Sequence, residues 1–273
     1  MDFLTCDFHT HLDQYPFKKL TSQLNEFDGI LVSASMDLLS YKKNCRLEAK
    51  LRKKACSTVK IVPTFGIHPK YAEYASRRLE KNPHYYDKYC QNSSIIGEIG
   101  MDFCWYKDAS PDKQEKVFRY FLEHCEKTHK FCVIHTKDAE KEVCNILKDY
   151  PNARPIIHWY DGDEKTFEEF IARGYYQTFG CETSRSEKLK AFLRSTPKHL
   201  ILAETDNPES ETWLGGTDNS VFLIERIYKD IADCLETSFE EACYIINENS
   251  KRILSYANLT YKCSRRQQAS SRQ

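Results

Sequence analysis

The sequence predicts a closed barrel of eight parallel strands alternating with helices, the α/β (β/α)8 or TIM-barrel class. Three observations carry that expectation. Short apolar, β-rich runs recur eight times; most are followed by a longer stretch whose apolar residues repeat at helical spacing; and 273 residues is a length that one such barrel commonly takes. Strands alternating with helices pair in parallel through right-handed crossovers, and eight of them suggest closure.

The strand-like runs cover 5–12, 29–35 (GILVSAS), 59–68 (VKIVPTFGIH), 94–102 (SIIGEIGMD), 131–135 (FCVIH), 154–159 (RPIIHW), 175–180 (YYQTFG) and 199–206 (HLILAETD). Helix-like stretches between them include 37–56, 110–130, 139–150 and 163–174, and two more, 220–235 and 238–257, finish the fold. In 110–130, Ser110 stands at a capping position, Pro111 suits the first turn, and Val117, Phe118, Phe121, Leu122 and Cys125 form one apolar face. The stretch 163–174 ends on Gly174, a C-capping residue. The segment 70–92 is rich in tyrosine, whose rings either stack on bases or, the reading we prefer for most of them, pack over the barrel. One domain over 1–258 is expected, with a basic, disordered tail over 259–273.

Composition narrows the function classes. Hydrophobic residues make up 41% and aromatics 13%, enough for a sizeable core, while 40 basic and 40 acidic side chains leave no overall attraction to nucleic acid or membrane. Binding of a polyanion must then be local. No run approaches 18 apolar residues, and Asp2 and Asp7 stand where a signal peptide would be basic and then apolar, so a soluble, cytoplasmic protein is expected. The 12 cysteines are scattered with no C-x-x-C, which suits reduced thiols acting as small hydrophobes.

Active sites of β/α barrels are built at the C-terminal ends of the strands. Those ends carry His9 and His11, His68, Glu98, His135, His158 and Asp206. Residues i and i+2 of a strand share a face, roughly 6–7 Å apart, so His9 and His11 can grip one ion. A lone histidine beside an apolar strand is more often structural, and His84, His124, His129 and His199 keep that bland reading. The joint set of His9, His11, Glu98, His135, His158 and Asp206 does not, because unpaired polar groups at the ends of apolar strands are costly. Imidazole and carboxylate without thiolate suit Zn²⁺, Mn²⁺ or Mg²⁺. Six ligands exceed what one catalytic ion needs; two divalent ions sharing a carboxylate, the device of phosphate-ester hydrolases, would use them all.

The ordered motifs DFHTHLD, FGIHP, IGEIGMD, VIHTK, IIHWYDGD and ETDNP resemble the TatD-type metal-dependent deoxyribonucleases, a branch of the amidohydrolase-like barrels, over about residues 5–257. The resemblance implies that His9, His11 and Asp206 hold one ion and His135 and His158 the other, with Glu98 bridging. It further implies catalytic roles for Asp206 and Glu98, with Asp206 also a proton acceptor as activated water attacks a phosphodiester. The implied activity is 3′ to 5′ exonuclease action on DNA, single-stranded or at 3′ ends. His68 falls near the family's substrate, with helix entry before Pro69 an equal alternative. Lys137 stands where relatives carry Arg, so the bidentate phosphate fork is lost. Trp159 is a stacking surface or, as we prefer, packing, and Glu204 supports a ligand or forms a salt bridge.

After ETDNP, relatives continue with a proline-containing loop and an Arg-Asn pair, whereas here the chain reads ESETWLGGTDNSVF: the substrate rim has changed while the metal set has not. HLDQYP, HWYDGD and ETDNP are similar to the TatD-like component of Qat anti-phage defence systems, which implies a bacterial origin and protein partners in a defence complex. Two other readings stay open: a small-molecule deacetylase, lactonase or deaminase, and a defence subunit whose main role is binding.

Overall fold

The computed structural model describes residues 5–53 and 58–257. All eight strands form: β1 (Thr5–Thr10), β2 (Gly29–Ser33), β3 (Val59–Pro63), β4 (Ile96–Asp102), β5 (Phe131–Lys137), β6 (Arg154–Ile157), β7 (Tyr176–Phe179) and β8 (Ile201–Ala203). They pair in parallel and in chain order, as β1-β2-β3 and β4-β5-β6-β7-β8. The two arcs join twice. Phe65 bridges Ile96, and the Gly97 N–H donates to the Phe65 carbonyl at 2.9 Å. Across the other seam the Asp206 N–H donates to His9 O and the His11 N–H to Asn207 O, both at 2.8 Å. The barrel is closed as the sequence predicts.

Helices α1 (Phe17–Glu26), α2 (Leu38–Arg52), α3 (Ala72–Lys81), α4 (Asp87–Asn92), α5 (Pro111–Thr128), α6 (Glu140–Leu147), α7 (Glu164–Ala172), α8 (Glu187–Ser195), α9 (Ser210–Trp213), α10 (Leu223–Cys234) and α11 (Phe239–Tyr256) surround it. Asp37 starts α2 through a capping box, accepting the Ser40 N–H at 2.7 Å while Ser40 Oγ accepts the Asp37 N–H at 2.9 Å. At α5, Pro111 takes the first turn, but the Ser110 hydroxyl makes no capping bond. The tyrosine-rich segment becomes α3 and α4, and Tyr86 is buried against Phe65 and Phe121, so packing is its use.

Two apolar layers follow from strand alternation. Cys6, Phe8, Ile30, Val32, Phe131, Val133, Ile156 and Leu202 form one with Ile253 and Leu254 of α11. Leu31, Ile61, Ile134, Ile157 and Ile201 join the helices in the other. By the period of two, Val133 shares a face with His135 and Ile156 with His158. On β5 and β6 the first layer is therefore the floor beneath the imidazoles.

Several strands stop short of their expected ends. β1 ends at Thr10, β3 at Pro63, β6 at Ile157 and β8 at Ala203, so His11, His68, His158 and Asp206 sit on the loops just beyond. Pro63 has no N–H to continue a ladder, and Trp159 (φ +41°) and Asp206 (φ +51°) turn the chain out of extended conformation. His199, expected to open the eighth strand, lies instead in a single 3₁₀ turn (Lys198–Leu200) after Pro197. The expected basic tail lies outside the described residues. Every cysteine among the described residues is free, and no described helix is long and apolar enough to cross a membrane.

Gly100 of β4 pairs with His135 of β5 at φ +145° and leaves no room for a side chain there. A Cβ there would lie 1.9 Å from the His135 carbonyl oxygen. Gly100→Ala is expected to cost about 3 kcal/mol, through backbone strain and separation of the two strands. Urea unfolding reads this as a lowered midpoint; an unchanged midpoint would contradict it.

Candidate metal centre

All six ligands expected from the sequence are brought together, and all six are buried. Four of their atoms form one set. His9 Nε2 and His11 Nε2 are 3.2 Å apart. Glu98 Oε2 lies 3.5 and 3.7 Å from them, and Asp206 Oδ1 3.4 and 3.1 Å. Ligand atoms about 2.0–2.1 Å from a tetrahedral ion stand roughly 3.3–3.4 Å from each other, so these separations fit the edges of such a cage. Glu98 Oε2 and Asp206 Oδ1 are buried with no hydrogen-bond partner. A cation at the centre satisfies both.

The other Glu98 oxygen faces a second set. Oε1 lies 2.9 Å from His135 Nδ1 and 3.7 Å from His158 Nε2, and Asp206 Oδ2 is 3.9 Å from the latter. The outer nitrogen of each imidazole is held by a carboxylate: His135 Nε2 by Asp102 Oδ2 and His158 Nδ1 by Glu204 Oε2, both at 2.9 Å. Such bonds fix the ring and its tautomer and leave the inner lone pair for an ion. The His158 ring also stacks on His9, with centroids 3.7 Å apart.

His68 stands at the helix entry that its position before Pro69 suggested and also faces the metal site. Its Nδ1 accepts the Lys70 N–H at 3.1 Å at the start of a 3₁₀ turn, and its Nε2 points at Glu98 Oε1, 3.6 Å away. With Nδ1 accepting, Nε2 carries the proton. Although His68, Glu98 and His135 lie close enough to hold an ion, His68 faces the site as a donor.

Local chain geometry supports this assembly. Asp7 Oδ1 accepts the His9 N–H (3.1 Å) and the Thr205 N–H (3.0 Å), while Oδ2 accepts the Thr205 hydroxyl (2.6 Å), tying β1 to the chain after β8. Asn207 donates its amide to the Asp218 and Ser220 carbonyls at 3.2 and 3.0 Å. These bonds hold Asp206 in its left-handed conformation, which costs a non-glycine residue about 1 kcal/mol or more.

Protonation follows the same neighbours. Burial alone would raise the Glu98 carboxyl, but His68, His9 and His135 hold it well below the usual range. Asp206 is likewise lowered by His158, His11 and His9 against burial. Burial pushes His9 down, and takes His68 to about 3, so His68 is neutral. Burial opposes charge on His11 too, but Asp206 and Glu98 carry it to about 9; Asp102 and Glu98 carry His135 to about 9 in the same way.

Above the two sets opens a cavity of about 440 Å³, a size typical of ligand sites. Lys137 lines it, paired with Asp161 and 4.9 Å from the centroid of the Trp105 ring. Trp159 lines it too, its indole N–H donated to Glu182 Oε2 at 2.6 Å. His84 and His124 stay outside, bonded to Asp87, as the bland reading has it. Asp102, Asp7, Trp105 and Trp213 received no role from the sequence. For Asp102 the signal was present: it lies four residues beyond Glu98 on β4, on the same face.

Comparison with known proteins agrees with this geometry. The family model described as "TatD related DNase" matches residues 6–255. The "Uncharacterized metal-dependent hydrolase MJ1582" of Methanocaldococcus jannaschii is 27% identical over 248 residues, 89% of this chain and 94% of that protein. A metal-dependent hydrolase of Bacillus subtilis, YabD, also uncharacterized by name, is 30% identical over 164 residues, 58% of this chain and 64% of its own. Among solved structures, a hydrolase TatD family protein from Entamoeba histolytica superposes with a TM-score of 0.74 at 16% identity, covering 93% of this chain and 98% of its own. YJJV, the TatD homolog of Escherichia coli, gives 0.69 at 18% identity, with 91% and 96% covered.

Because His11 and His135 titrate at about 9, both hold protons at neutral pH that an entering cation must displace. The sign is fixed: a raised pKa means competition below that pH, so apparent affinity for Zn²⁺ strengthens as pH rises from 7 toward 9. Calorimetry in buffers of different ionisation enthalpy is expected to show proton release on binding at pH 7. Affinity independent of pH over that range would contradict the assignment.

Proposed function

The chain belongs to the TatD-related DNase family and is a metal-dependent hydrolase, and we propose that it cleaves phosphodiester bonds of DNA as a 3′ to 5′ exonuclease acting on single-stranded or 3′-terminal substrate. The observation that carries this proposal is the pair of donor sets on the two oxygens of Glu98. In this reading His9, His11, Asp206 and Glu98 would hold one divalent cation, and His135, His158 and Glu98 would hold the second. Mg²⁺, Mn²⁺ and Zn²⁺ all suit imidazole and carboxylate donors. Bound divalent ions supply Lewis acidity toward phosphoryl oxygens and lower the pKa of water from about 15.7 to about 7.

The residues of the chain do the rest. Asp206 offers Oδ1 to the first set, and Oδ2 is left to accept the proton of the attacking water. Asp102 and Glu204 keep the second pair of imidazoles in register. His68, neutral and protonated on Nε2, donates toward a phosphate oxygen placed above Glu98. Lys137 attracts phosphate as a point charge, without the planar fork of an arginine. A cytoplasmic role in bacterial anti-phage defence, with protein partners, extends the proposal and rests on the HLDQYP, HWYDGD and ETDNP motifs.

The test is release of nucleotides from 5′-labelled single-stranded DNA with Mg²⁺ or Mn²⁺. Glu98→Ala and Asp206→Ala are each expected to lower the rate by at least about 100-fold, the lower end of what positioned acid–base groups contribute. A wild-type rate in either variant, or products shortened from the 5′ end, would overturn the proposal.

A further inference from the structure

The chain has three tryptophans, and all three line the mouth of the metal cavity. Trp213 lies between the others: its ring centroid is 6.2 Å from Trp105, tilted 49°, and 6.1 Å from Trp159, tilted 53°. Trp105 and Trp213 are 55% and 57% exposed. Large contiguous apolar surface of this kind is costly in water and marks a binding site.

Two of the tryptophans are tied through their backbone to the carboxylates that orient the imidazoles. The Trp105 backbone N–H donates at 2.7 Å to Asp102 Oδ1, the carboxylate whose other oxygen holds His135. The Trp159 backbone N–H donates at 3.0 Å to Glu204 Oε1, the carboxylate whose other oxygen holds His158. Trp213 sits on α9 in the stretch where the family's loop is replaced, and that stretch is pinned. Glu211, 2% exposed, takes Arg185 at 2.9 Å and Arg226 as ion-pair partners. Gly216 packs so closely that a Cβ would lie 1.9 Å from Glu211 Oε2. An exposed ring on an anchored segment beside two others is a built surface.

We propose that Trp105, Trp159 and Trp213 form a stacking site for an unpaired nucleobase next to the phosphate at the metal centre. The inference rests on the phosphodiesterase reading and adds how the strand is gripped. The ligand must be aromatic and flat to use indole faces, and its phosphates meet Lys43, Lys70 and Lys137, which line the cavity beside Asp13, Asp37 and Glu209, with Lys43 paired to Asp13 at 3.9 Å and Lys137 to Asp161. A cationic guest is disfavoured because the Lys137 ammonium already lies over Trp105. A base inside a duplex has both faces covered by its neighbours, so the site selects single strands. Every base has a π face, so it does so without reading sequence.

Since no other tryptophan is present, intrinsic tryptophan fluorescence of the full chain reports on this site alone. The probes are a phosphorothioate oligothymidylate, which resists hydrolysis, and a strand of equal length and charge with every base removed. The thymidylate is expected to quench the fluorescence and to bind about tenfold or more tighter than the base-free strand, as stacking of one base allows. In the Trp105→Ala/Trp213→Ala variant the preference should vanish while base-free binding is kept, and Trp213→Phe, which retains a ring, should keep the preference. Equal binding of the two probes to the wild type, or a preference that survives the double alanine variant, overturns the proposal. Hydrolysis is assayed separately: cleavage without base preference removes the stacking site alone, and base preference without cleavage removes the phosphodiesterase reading and leaves the site standing.

Discussion

The Glu98 carboxylate, enclosed at the C-terminal mouth of the barrel, sets the terms for the residues around it. Five imidazoles face it, with His9 and His11 toward one oxygen and His68, His135 and His158 toward the other. A buried carboxylate needs compensation, and here it comes from nitrogens presented by four separate strand–loop junctions. Removing any of them leaves unpaired charge in a low-dielectric setting, which costs several kcal/mol. The closure of β8 onto β1 and the approach of β4 to β5 at Gly100 both serve to bring these nitrogens within reach.

Around this centre the protein spends stability on fixed geometry. Asp206 and Trp159 adopt left-handed backbone angles that β-strand continuation would have avoided, and both conformations are held by hydrogen bonds to neighbouring strand ends. Asp102 and Glu204 each serve two purposes, orienting one imidazole and one backbone segment of the cavity wall. Metal chemistry and substrate contact are thereby coupled through the same two carboxylates, so a substitution at either is expected to disturb both.

Much of this was legible in the sequence. Strand period and the rule that barrel active sites lie at strand C-termini located His9, His11, Glu98, His135, His158 and Asp206, because each follows a run whose apolar pattern is unmistakable. Where the chain leaves regular structure that guide fails. Trp105 and Trp213 lie on segments without periodicity, so nothing in their spacing indicates which way they face, and their proximity arises from long-range closure of the barrel. Asp102 shared a face with Glu98 but stood at a strand end without any other signal, and Asp7 was read only as an acidic residue near the N-terminus. His199 went astray for a local reason: Pro197 forces a turn before the last strand can begin.

The central claim is that one carboxylate serves two cations. Its most direct test is a calorimetric titration of the metal-free chain with Mn²⁺, for the wild type and for Glu98→Ala. Two ions per wild-type chain are expected, with both sites weakened together in the variant, since each loses a ligand from the same residue. A single ion in the wild type, or a variant that keeps one site at full strength, would contradict the bridging role of Glu98.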